Sequence, residues 1–251
     1  MSSENNPNEP ARPWGAPRPD QSQPPAPRTA GRIPLLSILF FVLMLVLVGA
    51  RAYRDLSTPQ AWAYWKDQFI SPSLSASIVR GSPDQRPALA IHGRIGPAAA
   101  GWFRDRLDEA KLRPGDSVVF SSPGGDVDQA IIIGEVIRAR GLTTAVGTFD
   151  ADDRLRPSYC ASACVFAYAG GKVRQGVQGS RLGVHRFTTE GAGRDAVADT
   201  QRTAGLILGY MTRMGVSPSL VEAMSATDEI RWLDAREALD MRLVTDPQQR
   251  R

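Results

Sequence analysis

Three short stretches carry the residue types that chemistry needs. Ser121-Ser122-Pro123-Gly124-Gly125-Asp126 follows one apolar run and precedes another. A Pro-Gly-Gly turn there gives a tight bend, and its N–H groups beside a helix start can bind an oxyanion. The same residues also make an ordinary strand-to-helix turn. In Tyr159-Cys160-Ala161-Ser162-Ala163-Cys164, small residues surround a serine. Its hydroxyl can then sit exposed at a sharp turn, as a nucleophile must, although a Ser before a helix also serves as an N-cap. Gly183-Val184-His185-Arg186-Phe187 holds one of only two histidines, His92 and His185. A neutral imidazole beside a hydroxyl is what general-base catalysis requires, and a His in an apolar strand is equally a hydrogen-bonded core residue.

The two cysteines, Cys160 and Cys164, lie either side of Ser162. In one regular helix their Cβ atoms would be about 6 Å apart, too far for a disulfide, which wants roughly 3.8 Å. If Cys160 precedes the turn, the gap can close, as an oxidising compartment would permit. Two buried thiols packed beside the serine are the plainer alternative. A metal reading draws on the same cysteines with His92 and His185, but the histidines fall on separate strands, so no metal site is expected.

These residues need a scaffold. Apolar runs at Ala88–Ile91, Ser117–Phe120, Thr143–Val146, Leu182–Phe187, Ile230–Leu233 and Leu243-Val244 read as strands. Amphipathic stretches at Ala98–Lys111, Asp128–Arg140, Asp195–Met214, Leu220–Met224 and Ala235–Met241 read as helices, and Cys160–Gly170 is an apolar small-residue segment. Alternating strands and helices predict an α/β domain with largely parallel strands. Two Cys exclude a disulfide-stapled mini-protein and a four-Cys zinc module. The 30 basic and 26 acidic residues are spread along the chain with no basic patch interleaved with aromatics, so nucleic acid is not an expected partner.

The 251 residues divide into unequal parts. Residues 1–32 hold eight of the 19 prolines and almost nothing apolar, which predicts a disordered tail. Residues 33–50 carry no charge. Eighteen residues of helix span about 27 Å, close to a bilayer's hydrocarbon core, which predicts an uncleaved transmembrane helix. Residues 51–86 read as a juxtamembrane helix and linker, with Trp62, Tyr64 and Trp65 either at the membrane interface or packed on the domain. The domain proper is expected over 87–251. Basic residues flank the span on both sides, so charge does not orient it. A short tail inside and a large domain outside is the usual arrangement of a signal anchor, which puts the domain on the periplasmic or extracytoplasmic side.

Taken together, the motifs resemble the ClpP-type serine peptidases of the ClpP/crotonase superfamily, from about Ala88 to Asp246. Ser121–Gly125 is similar to that family's strand-terminal N-S-P-G-G, and Ala161-Ser162 to the Ala-Ser of its nucleophile turn. Ser180-Arg181-Leu182-Gly183-Val184-His185 is similar to its Ser-Arg-x-x-Ile-His. Leu233–Ala238 through Leu243-Val244 is similar to its closing L-S-A-x-E-A…G-L-V-D. The membrane anchor and flanking cysteines resemble a ClpP-like branch of predicted periplasmic proteins. The resemblance implies a repeated β-β-α spiral, no cofactor, a peptide or protein substrate and a homo-oligomer. It implies Ser162 as nucleophile, His185 as base, and the N–H groups of Gly125 and Ala163 as an oxyanion hole.

One position departs from the pattern. The family's third triad member falls on Ile230, which cannot orient an imidazole. Asp228 shares the face of Ile230 if this stretch is extended, whereas Glu229 points the other way, so Asp228 is the expected acid. A solvated loop carboxylate is the alternative. A Ser–Lys mechanism is set aside, because the three lysines are Lys66, Lys111 and Lys172 and none follows residue 172. The sequence therefore points to a membrane-anchored serine hydrolase, with an anchored module that has kept the fold and lost the acid as the other reading. A thiol-redox or metal control at Cys160/Cys164 is a third.

Overall fold

A computed structural model of the chain describes residues 35–80, 86–186 and 195–247. The expected tail, the first two residues of the expected span, residues 81–85 of the expected linker, Phe187 of an expected strand and the last four residues of the expected domain lie outside them. Contacts divide the chain into a unit ending at Ala52 and a unit running from Tyr53 onward.

The first unit contributes most of helix α1 (Leu35–Leu56), which has no buried residue. It is long and apolar enough to cross a membrane, and is the one such helix among the described residues. Its apolar side chains face outward all round, unlike those of a core helix.

After the last turn of α1, the second unit continues with α2 (Pro59–Trp65), where Thr58 caps the N-terminus and proline takes the first position. A π-helical turn, Lys66–Ile70, follows. Trp62, Tyr64 and Trp65 are exposed here, with Trp65 stacked on Phe69, so they do not enter the core. Then come β1 (Leu74–Val79), β2 (Ala88–Gly93), α3 (Ala99–Ala110), β3 (Ser117–Ser121), α4 (Val127–Ala139) and β4 (Thr143–Val146). The chain continues through β5 (Thr148–Phe149), β6 (Leu155–Arg156), β7 (Tyr159–Ala161), α5 (Cys164–Ala169), β8 (Arg174–Gly176) and β9 (Arg181–Val184). It ends with α6 (Ala196–Arg213), α7 (Ser219–Ser225), β10 (Arg231–Leu233), α8 (Ala235–Asp240) and β11 (Asp246–Pro247).

A six-stranded sheet runs β1-β2-β3-β4-β8-β11, parallel except for β1. A three-stranded sheet runs β10-β9-β7, with β7 and β9 parallel. The short hairpin of β5 and β6 covers the larger sheet's second face, where Val79, Ala88, Val119 and Ala145 pack with Phe149 and Leu155. Helix α5 is buried on every residue and forms the centre of the main core.

The structure corrects the expected boundaries. The stretch read as linker contains β1, whose six residues pair in register from Leu74 opposite Gly93 to Val79 opposite Ala88. Its Ser-Ala-Ser interior hid an edge strand, which needs only one buried face. Asp67 then binds this region to the domain, accepting from the N–H groups of Ser73 (2.8 Å) and Ala98 (3.0 Å). The last strand is Asp246–Pro247 rather than Leu243-Val244, because the N–H groups of Leu243 and Val244 turn back to the Ala238 carbonyl. The strand before His185 stops at Val184.

Candidate active site

Two parallel strands end side by side. Ala161, the last residue of β7, lies opposite Gly183 of β9. The residues just past these strand ends are Ser162 and His185, and Ser162 Oγ lies 2.7 Å from His185 Nε2. Both side chains are half-buried, so the pair opens to solvent from a dry base. Ser162 adopts φ +56°, the left-handed region, which costs a non-glycine residue about 1–3 kcal/mol. Its N–H donates to the Gly183 carbonyl at 2.9 Å, and its carbonyl accepts from Val165 N–H at 3.0 Å. The serine is thus a sharp strand-to-helix turn and not the N-cap of α5, a position that Ala163 holds.

The Pro-Gly-Gly turn lies against this serine. Ser122 is fully buried; its hydroxyl accepts from the Gly124 N–H at 3.1 Å, and its backbone bridges to β7 around Cys160. Gly124 has φ +93°, and a Cβ there would meet the Ala161 carbonyl at 2.5 Å and Ser162 Cβ at 2.8 Å. Only a glycine lets these two turns approach so closely. Ile95 bridges to Gly125 through the Gly124 carbonyl and the Asp126 N–H, both at 2.8 Å. That pattern leaves the Gly125 N–H on the edge away from Ile95. Asp126 then caps α4 by accepting from Gln129 N–H.

The acid region is arranged differently from the imidazole pair. Continuing the β9–β10 register, in which Arg231 faces Val184, sets Ile230 opposite His185. Asp228 is exposed and pairs with the Arg186 guanidinium at 2.5 Å, while the Arg186 N–H donates to the Thr227 carbonyl. Among the described residues, no hydrogen bond joins Asp228 to the imidazole. Glu229 is exposed as well. The structure therefore brings Ser162, His185 and the Gly125 and Ala163 turns together, and brings Asp228 to the residue after the histidine.

The cysteines are bonded to each other, with Cα atoms 5.4 Å apart, inside the range that a disulfide spans. Cys160 belongs to β7 and Cys164 opens α5, so they are not on one helix. No group of three or more metal-ligating side chains occurs among the described residues, and His92 lies on β2, in a different sheet from Cys160 on β7.

Solved structures share this fold. The chain is similar to ClpP1 of Listeria monocytogenes and to a point mutant of that protein. Each match has a TM-score of 0.50 and 20% identity, and covers 65% of this chain and 92% of the other. No protein-family model matches the sequence, and no curated protein matches it. At this identity the likeness establishes a ClpP-like α/β fold.

Proposed function

We propose that the protein is a membrane-anchored serine hydrolase, a peptidase in which Ser162 is the nucleophile and His185 its base. The observation that carries this reading is the 2.7 Å contact between Ser162 Oγ and His185 Nε2 on a left-handed turn. With a neutral imidazole, the hydroxyl donates to Nε2, and Nε2 takes the proton as Oγ attacks a peptide carbonyl. The developing oxyanion is held by the N–H groups of Gly125 and Ala163. The imidazolium returns its proton to the leaving amine, and water then hydrolyses the acyl-serine by the same route. Helix α1 anchors the chain, and the Cys160–Cys164 bond supports an oxidising, extracytoplasmic side for the domain. The ClpP-like fold supports a peptide or protein substrate and a homo-oligomer.

The position of Asp228 favours a second reading, a catalytically silent anchored module, because its carboxylate serves Arg186. Labelling of the detergent-extracted protein with a fluorophosphonate separates the two. Labelling that disappears in Ser162→Ala and in His185→Ala is the expected result. A folded, oxidised protein that takes no label would sink the hydrolase reading and leave the silent module.

A further inference from the structure

Cys160 and Cys164 enclose the proposed nucleophile. Both are fully buried, one at the centre of β7 and the other at the first position of α5. Their bond closes a covalent ring over Ala161, Ser162 and Ala163. Within that ring lies a serine in the left-handed conformation, a geometry that persists only where its surroundings over-determine it. Hydrogen bonds fix the strand side: Ala161 N–H donates to the Ser122 carbonyl and Ser122 N–H to the Tyr159 carbonyl, both at 3.0 Å. On the helix side, Ala163 leaves the turn as the N-cap of a six-residue helix with no side-chain cap. Between the two sides, hydrogen bonds among the described residues run only through Ser162 itself, from its N–H to the Gly183 carbonyl and from Val165 N–H to its carbonyl, and the disulfide adds a covalent link across it. So small a ring removes little freedom from the unfolded chain compared with a long loop, so its main effect is on local geometry.

We infer that the Cys160–Cys164 disulfide positions the nucleophile, holding Ser162 and the Ala163 N–H where Oγ meets His185. This rests on the reading of Ser162 as the nucleophile. Reduction by a dithiol is a balanced exchange. One thiolate attacks a cystine sulfur to give a mixed disulfide and releases the other cysteine; the second thiol then closes the reductant's own ring. Two electrons and two protons pass to the protein, which keeps two buried thiols. With the ring open, Ser162 relaxes toward negative φ and its hydroxyl leaves the imidazole. The cysteines are positioning residues, and the activity is set by their oxidation state.

The test uses the full-length protein in detergent, oxidised or treated with dithiothreitol, with thiol content read by mass. Fluorophosphonate labelling of the reduced protein and of Cys160→Ala/Cys164→Ala is expected to slow by about tenfold or more, the scale on which a misplaced reacting group slows a reaction. Reoxidation restores the rate in the natural sequence and not in the double variant. The second readout is the nitrogen spectrum of the two histidines, which is independent of turnover. The His185 Nε2 resonance moves on reduction and that of His92 does not. Equal labelling rates and an unmoved His185 resonance in fully reduced protein would overturn the inference. If the oxidised protein never labels, the hydrolase reading fails separately, and the histidine spectrum alone decides whether the bond sets the Ser–His contact.

Discussion

Single residues decide whether the proposed chemistry works. Gly124→Ala adds a methyl group against the Ala161 carbonyl at a left-handed position. The expected loss is about 1–3 kcal/mol of unfolding free energy, read by urea denaturation, with loss of fluorophosphonate labelling. Asp228 gives the complementary test. Its exposed ion pair with Arg186 is worth about 0–1 kcal/mol, so Asp228→Asn leaves stability nearly unchanged. Its labelling rate should stay within about threefold, whereas a fall on the scale of about 10⁴ would mark an acid that orients the imidazole. His92 carries a pH signature of its own. Burial holds its pKa below the ordinary value, so the unfolded chain takes up a proton there before the folded one does. Stability therefore declines as pH falls below about 6.5, and His92→Gln flattens that slope in thermal melts across this range.

Elements decide whether those residues are held. Helices α4 and α5 meet through glycine: a Cβ on Gly134 would strike the Tyr210 hydroxyl and lie 2.8 Å from the Phe166 carbonyl. Tyr210 reaches across from α6 and donates to that carbonyl at 2.7 Å. Gly134→Ala is expected to cost about 1–3 kcal/mol. Tyr210→Phe is expected to cost about 1 kcal/mol. Together they should cost less than the sum, by about 0.5 kcal/mol or more, since removing the hydroxyl relieves one clash. Arg174 ties three chain segments at once. It is buried, and its guanidinium donates to the carbonyls of Gly171, Met214, Arg242 and Leu243. Those carbonyls lie at or just beyond the ends of α5, α6 and α8, where helix dipoles leave negative charge that a cation offsets.

The legible elements were those with a strong period. Thr143–Val146 appears as read, and the helices near 99–110 and 127–139 differ by a residue or so at their ends. Ser162 and His185 stood out because a Ser among small residues and a rare His are unusual in apolar runs. Less legible were pieces too short for a period, such as β5, β6 and β7, each of two or three residues. Arg174–Gly176 hid for another reason: a buried arginine in a strand looks like a surface residue until carbonyls surround it. The disulfide depended on Cys160 lying before the turn, a fact of tertiary placement that spacing four leaves open.

At the scale of the whole molecule, β1 changes where the domain can be cut. A fragment starting at residue 53 keeps β1 and the Asp67 clamp. It should run as a defined species in size-exclusion chromatography. A fragment starting at residue 87 leaves β2 as a bare edge with unpaired N–H and C=O groups, and should aggregate. Equal behaviour of both fragments would show that β1 is dispensable.

The direction of β1 also fixes an address. Because it runs against β2, its first residue, Leu74, faces Gly93, the last residue of β2. Next along the chain, Arg94 N–H donates to the Ser73 carbonyl and Ile95 bridges to Gly125. The stretch from Asp67 to Leu74 therefore joins the sheet at the end beyond which Ser162 lies. On the proposed reading, the entry of the chain into the sheet and the oxyanion turn share one hydrogen-bonded stretch of backbone, from Ser73 through Ile95 to Gly125, so loosening the first loosens the second.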